Sequence, residues 1–222
     1  SWKQFINEHW DFSFRTAIDR RDFSAQNFYT TFASDTANEQ VNSNWNHARL
    51  RYNKSRHQFS LDAGYKTAKD IFQFNPSSVA NNNRSKLLQL LLTDHYNVNN
   101  NTLISAGIQY QNRSIRSNDR GNHSLNQIAG FVILNQKFND ISLSPSLRVD
   151  HSEKRGTELV PQLNLSWTKG PWQLRASAGK TIRDADFTER FNNYNKEFVA
   201  GGSIGNPDLV AERSFSYEAG AD

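Results

Sequence analysis

The residues able to do chemistry are scattered in this chain rather than gathered. The six histidines (His9, His47, His57, His95, His123, His151) include no pair at H-x-x-x-H spacing, the arrangement that puts two imidazoles on one helical face for zinc. Cysteine is absent, which removes thiolate ligands and thiol nucleophiles. No serine sits in a nucleophile-elbow pattern, and Gly201-Gly202-Ser203-Ile204-Gly205 lacks the Lys-Ser/Thr that follows a phosphate loop. What remains is hydrogen-bonding and stacking chemistry in polar stretches: Asn81-Asn82-Asn83, Ser117-Asn118-Asp119-Arg120-Gly121-Asn122 and Asn192-Asn193-Tyr194-Asn195. Arg116, Asp119, Arg120 and Tyr194 are the candidate contacts for a polar ligand there, although a wet loop is polar whatever it binds. Asp119, Asp184, Asp186 and Glu189 offer the oxygen atoms that calcium takes, without the spacing of a calcium loop. The pattern predicts a binding protein with no catalytic residue, no cofactor and no metal site.

The elements that carry these stretches read as strands. Apolar and polar residues alternate with period two nearly everywhere. Trp10, Phe12, Phe14 and Ile18 alternate with Asp11, Ser13 and Arg15, and Phe59, Leu61, Ala63 and Tyr65 with Ser60 and Asp62. The same rhythm marks Ala48–Tyr52, Ile104–Tyr110, Ile141–Val149, Leu159–Trp167, Trp172–Ala178 and Phe215–Ala221. Two segments are ambiguous. Residues 86–97 carry leucines on both faces, fit a short helix as well, and as a strand can direct Asp94 to the apolar side. Residues 124–137 place Ile128, Val132 and Leu134 on one face and Ala129, Phe131 and Ile133 on the other. Both are read as strands, giving about ten in all, several with the roughly 9–11 residues a tilted strand needs to cross a bilayer. Pro145 and Pro161 interrupt apolar faces, and Pro145 predicts a bulge or a bend because proline cannot donate to a ladder.

The connections alternate. Short polar turns near 53–57, 97–101, 138–140 and 168–171 are separated by longer links at 75–85, 114–123, 152–157 and 183–213. The segment 20–43 is a further long link, with a hairpin extension around Phe28 to Phe32. Tyr52, Phe59, Tyr96, Phe138, Trp167 and Trp172 lie beside the short turns, where a membrane barrel puts its aromatic girdle and its short periplasmic turns. The mean hydropathy of −0.77 excludes membrane-spanning helices but averages over alternating faces. The chain is therefore read as all-β, an antiparallel transmembrane barrel segment. Its apolar side chains face lipid, while Arg49, Arg51, Asp62, Lys66, Gln109, Arg148, Asn164 and Arg175 face a polar lumen. With 26 basic and 22 acidic residues and no basic run, nucleic acid is not an expected partner. The missing methionine and the strand pattern at both ends are read as a fragment, open at two edges, of a larger barrel.

The last forty residues add a resemblance. Gly205-Asn206-Pro207-Asp208-Leu209-Val210-Ala211-Glu212, followed by Ser216-Tyr217-Glu218-Ala219-Gly220, resembles the G-N-P-x-L-x-P-E…x-E-x-G signature of TonB-dependent outer-membrane receptors. Thr181-Ile182-Arg183 and Phe187-Thr188-Glu189-Arg190-Phe191 resemble that family's arginine and F-x-E-L-Y segments. Ala211 departs from the family's proline, and Arg190-Phe191 from its Leu-Tyr. The resemblance implies that residues 1–222 are part of a roughly 22-stranded barrel with a plugged lumen, without the plug domain. It implies uptake of a ferric siderophore, cobalamin, haem or oligosaccharide across the outer membrane of a Gram-negative cell, with the TonB complex and membrane lipid as partners. It makes Arg183, Glu189, Gly205, Asn206, Pro207, Leu209, Glu212, Glu218 and Gly220 the family-motif residues. The alternatives are a passive porin or barrel enzyme, and a soluble β-rich binding module.

Overall fold

The computed structural model describes residues 1–28, 31–193 and 205–222. Eleven strands follow one another along the chain: β1 (Trp2–Phe5), β2 (Trp10–Ser24), β3 (Asn38–Lys54), β4 (His57–Gln73), β5 (Asn81–Asn99), β6 (Thr102–Ser117), β7 (Gly121–Phe138), β8 (Ile141–Ser152), β9 (Gly156–Lys169), β10 (Trp172–Arg183) and β11 (Glu212–Ala221). They form one open antiparallel sheet in chain order. A five-residue helix, α1 (Phe187–Phe191), lies between β10 and β11. Among the described residues no helix is long and apolar enough to cross a membrane. The strand absent from the sequence reading is β1, whose four residues are too few for alternation to register.

One end of the sheet is closed by the two-residue turns Ser55-Arg56, Asn100-Asn101, Asn139-Asp140 and Gly170-Pro171. Ser55, Asn139 and Gly170 take positive φ there, as tight hairpins between twisted strands require. The opposite end carries residues 25–37, 74–80, 118–120, 153–155 and 184–211. Two links expected to be long, 114–123 and 152–157, shrink to three-residue tips, because polar residues on both faces continue the ladders outward as strand. The 20–43 link shortens in the same way, with Arg20 to Ser24 paired to Asn38 to Asn42. The hairpin extension around Phe28 to Phe32 is not seen: the described residues there form turns, and Tyr29 and Thr30 lie outside the described set.

Register fixes the two faces. Arg49 pairs with Asp62, Asp62 with Leu91, Leu91 with Gln109, Gln109 with Ala129 and Ala129 with Asp150, so the eight residues read as lumen-facing share one side. Arg49 Nε donates to Asp62 Oδ1 at 2.6 Å and Arg51 Nε to Asp11 Oδ2 at 2.8 Å on that side. Leu61, Leu90, Ile108, Ile128, Leu147, Leu163 and Leu174 are exposed on the other. Residues 86–97 are strand. The register sends Leu87 and Leu91 to the polar face and Asp94 to the apolar one, opposite Phe59. Asp94 is tolerated because it lies beside the short turns, where His57 Nδ1 meets its Oδ2 at 2.9 Å and the His57 ring stacks on Phe59 and Tyr96. On β6, a Cβ at Gly107 would come within 2.5 Å of the Phe131 ring; the glycine lets that ring lie flat across the strand.

Pro145 produces no bulge. β8 keeps one register against β7 on both sides of it, and only the rungs between Ser146 and Leu143 are lost, while Pro145 still lies opposite Leu163 of β9. Pro161 marks where β9 and β10 part, since their pairing ends at Gln162 and Gly179. Above it Glu158 fills the gap, accepting from Lys180 Nζ at 2.7 Å and from Arg213 Nε at 2.8 Å. Arg148 is more than a lumen side chain, because its Nε donates to buried Asp150 at 2.9 Å. Facing is therefore better tested one strand away. Leu163→Arg, at the middle of the apolar belt of β9, is expected to cost about 2–4 kcal/mol of folding free energy in lipid vesicles, and Asn164→Arg less than about 1 kcal/mol. Equal costs in a reversible folding titration would contradict the assignment.

Candidate functional site

Seven of the nine motif residues meet at the base of the 184–211 loop. Arg183 ends β10 and Glu212 begins β11, and the two are register partners. Arg183 Nε and Nη2 donate to Glu212 at 2.9 and 2.8 Å, and its Nη1 and Nη2 to Glu189 at 3.1 and 2.9 Å. One guanidinium thus holds two carboxylates through paired donors, a geometry that lysine cannot reproduce. Glu189 belongs to α1, which starts with a capping box: Asp186 Oδ1 accepts from Thr188 N and Glu189 N at 2.7 and 2.8 Å, and the Glu189 carboxylate accepts from Asp186 N at 2.8 Å.

The Gly-Asn-Pro segment packs against the end of that helix. Gly205 N donates to Asn192 O at 2.8 Å and Asn206 N to Glu189 O at 3.0 Å. A Cβ on Gly205 would lie 2.5 Å from Arg190 C and Phe191 N, so only glycine lets the two backbones approach. Asn206 Oδ1 accepts from Asp208 N at 3.0 Å, and Leu209 N donates to Asn206 O at 3.3 Å. The buried Arg190 donates from Nη1 to Pro207 O at 2.8 Å, so the residue that departs from the family pattern ties helix to turn. Glu218 and Gly220 lie further down β11, opposite Ser177 and Arg175 on the polar face, and take no part in this clasp.

From the clasp, α1 lies against the polar face. Phe191 stacks on His123 of β7 at 3.5 Å between ring centres, with Phe187 6.3 Å from the same imidazole. His123 Nε2 donates to Arg120 O at 2.7 Å. The helix therefore reaches across β9 and β8 to a strand three places from its own. Beneath it, Asp150 accepts from Arg148, from Gln127 at 2.7 Å and from Arg155, which also donates to Asp184 at 2.6 Å. The Asp150 and Arg155 side chains are each 2% exposed, so the charges are buried but paired. A recess of about 230 Å³ between the 153–155 tip and residues 207–211 is lined by Lys154, Arg155, Arg190 and Arg213.

The candidate ligand contacts separate. Asp119 is buried in the β6–β7 tip beside Arg120, and both backbone N–H groups donate to Ser117 Oγ. Arg116 sits on the apolar-side face of β6, opposite Arg84, and points away from the lumen. Tyr194 lies outside the described residues. The carboxylates offered for calcium are engaged within the protein: Asp184 is held by Arg155, Asp186 caps α1 and Glu189 is held by Arg183. Sequence reasoning missed His123, Asp150 and Arg155. The i, i+2 pair Arg148 and Asp150 on one face was the available signal for part of this network.

A family model described as TonB dependent receptor-like, beta-barrel, matches residues 2–222. The chain belongs to that family. Among solved structures, the siderophore receptor PirA of Pseudomonas aeruginosa is 16% identical with a TM-score of 0.77, over 99% of this chain and 41% of that one. PirA of Acinetobacter baumannii is 12% identical with a TM-score of 0.82, over 99% and 39%. A ferric enterobactin receptor mutant of P. aeruginosa (PfeA), solved with enterobactin, is 14% identical with a TM-score of 0.79, over 99% and 39%. The likeness is one of fold, and the chain spans about two fifths of the length of these receptors. No match was found among curated protein sequences.

The clasp is expected to loosen in acid. Hydrogen bonds from Arg183, and then from the Asp186 N–H, hold Glu189 below the ordinary glutamate value of 4.5. A depressed carboxylate stabilises the fold fully above its unfolded pKa and loses that contribution as pH falls through the folded one. Limited proteolysis of the detergent-solubilised full-length protein is expected to spare residues 184–211 at about pH 7 and to cleave them at about pH 3, with the strands still resistant. Equal cleavage at both pH values would contradict that loosening.

Proposed function

We propose that the chain forms wall, lumen surface and external mouth of an outer-membrane receptor for energised uptake of a scarce nutrient in a Gram-negative cell. The observation that carries this reading is α1, clasped by Arg183 and laid on the polar face through Phe191 and His123 rather than turned away from it. A passive pore gains nothing from a roof over its lumen; a receptor that captures ligand before moving it does. A ferric siderophore is the first substrate to test. PirA is a siderophore receptor, and PfeA was solved with enterobactin. The RagAB peptide importer, 12% identical with a TM-score of 0.66, shows that this fold also serves other cargo. Cobalamin, haem and oligosaccharide stay on the panel.

In this reading the apolar face meets lipid, the polar face lines the transport path, and energy arrives from the TonB complex through a plug domain that residues 1–222 do not supply. Arg120 and Tyr194 are proposed as ligand contacts at the mouth, with Asp119 buried beside Arg120. The nine motif residues are proposed as structural, holding the roof and β11. The test is uptake of radiolabelled ferric siderophores by iron-starved cells with this protein as their one receptor. Uptake should require the protein and collapse with an uncoupler. Arg183→Ala should slow it about tenfold, the equivalent of roughly 1.4 kcal/mol of lost binding. Uptake insensitive to the uncoupler would favour a passive pore and contradict the proposal.

A further inference from the structure

The apolar face carries cations where its belt of aliphatic side chains ends. On β5 the successive residues of that face are Leu90, Leu88, Lys86 and Arg84. Register extends this level sideways. Arg20 of β2 lies opposite Asn42 of β3, Asn42 opposite Lys69 of β4, Lys69 opposite Arg84, and Arg84 opposite Arg116 of β6. Five neighbouring strands thus present one transverse row in which four of five side chains are cationic, with Lys86 one step below. Arg20, Arg84, Lys86 and Arg116 are exposed and Lys69 is half-buried.

None of these five cations makes an ion pair or a side-chain hydrogen bond among the described residues. Several other cations of the sheet are matched, while Arg15 and Arg113 of the polar face stand singly rather than in a row. Arg49 has Asp62, Arg51 has Asp11, Arg148 has Asp150, and on the far strands Lys180 and Arg213 share Glu158. Like charges directly opposite across an antiparallel pair are destabilising, and Lys69–Arg84 and Arg84–Arg116 are two such pairs in succession. No acid lies in the row to offset them. The row is therefore electrostatically incomplete, and its complement is an anion.

Position narrows the class of anion. The row borders the apolar belt at the end bearing the long connections, so a molecule held there has acyl-chain surface immediately beneath it. Strands are about 4.8 Å apart, so Lys69, Arg84 and Arg116 span roughly 10 Å. That is room for more than one phosphate, and arginine binds phosphate through two parallel donors. We propose that Lys69, Arg84, Lys86 and Arg116, extended by Arg20, form a surface site for the phosphorylated headgroup of an outer-leaflet lipid. Arg116, a candidate nutrient contact on sequence grounds, belongs to this lipid-side row. The site is independent of which nutrient the barrel carries.

The test uses the full-length protein in detergent micelles, followed by native mass spectrometry and thermal unfolding. The probes are diphosphorylated lipid A, the same lipid with its phosphates removed, and inorganic phosphate. Wild type should retain the diphosphorylated lipid and unfold at higher temperature with it. The dephosphorylated lipid and inorganic phosphate should give neither effect. Removal of each cation should weaken retention about fivefold, so the triple variant Lys69→Gln/Arg84→Gln/Lys86→Gln should lose the preference. In lipid-free detergent that variant should be as stable as wild type or more so, since repulsion is relieved, which separates loss of a site from loss of the fold. Equal retention of both lipids, unchanged retention by the triple variant, or full displacement by inorganic phosphate would overturn the proposal.

Discussion

Backbone amides placed in hydrocarbon have no water to bond, and this one constraint organises the chain. A strand can cross a bilayer only if its N–H and C=O groups are all taken by neighbours. The long registers from β2 to β7 meet that demand, the one irregularity in the β5–β6 ladder lying at its turn, between Asn97 and Asn99. Once register is set, side chains have no freedom of side. Aliphatic residues collect on one face, and the ion pairs Arg49–Asp62 and Arg51–Asp11 on the other. The two prolines show how little slack there is. Pro145 removes rungs without shifting the register, and Pro161 falls where β9 and β10 part, with Glu158 bridging the gap to Lys180 and Arg213.

The same logic governs the mouth. Beyond the belt, water can satisfy the backbone, and side-chain chemistry must decide where the chain goes. Arg183 does this by gripping Glu189 and Glu212 together, so that departure from β10 and arrival at β11 are joined through a single guanidinium. Gly205 then permits a backbone approach that any other residue would block. The aromatic pair of α1 spends the resulting position on His123 of β7. Strand order, clasp and roof are successive consequences of one ladder.

Much of this was legible in the residues. Alternation located eight of the eleven strands and separated their faces, because a half-buried strand repeats every two residues whatever it packs against, and β5 and β7 were read as strands from their neighbours. The motif residues from Arg183 to Glu212 were marked by a family resemblance, and their convergence follows from β10 pairing with β11. The upper strand ends were not legible. From Ser114 to Ser117 and from Arg20 to Ser24 one apolar residue, Ile115 or Phe23, stands among polar ones, so alternation in hydropathy fades although the ladder continues. The Asp150–Arg155–Asp184 network was invisible for another reason: its members come from a strand, a tip and a loop, and meet only once β7 to β10 are in register. The face taken by Asp94 was open in the sequence, because its partner His57, opposite Tyr96, comes from another strand.

The account rests on period-two facing of a continuous ladder across a membrane, and residues 1–222 hold no cysteine, so it can be tested directly in a protein whose remaining cysteines, if present elsewhere, are replaced by serine. Single cysteines placed in turn from Leu159 to Trp167 of the membrane-embedded full-length protein would be challenged with a charged, water-soluble thiol reagent and with an apolar one that partitions into lipid. The account predicts strict alternation, with odd positions modified by the apolar reagent and even positions by the charged one. Modification that runs uniformly along the strand, or repeats every three to four residues, would contradict it.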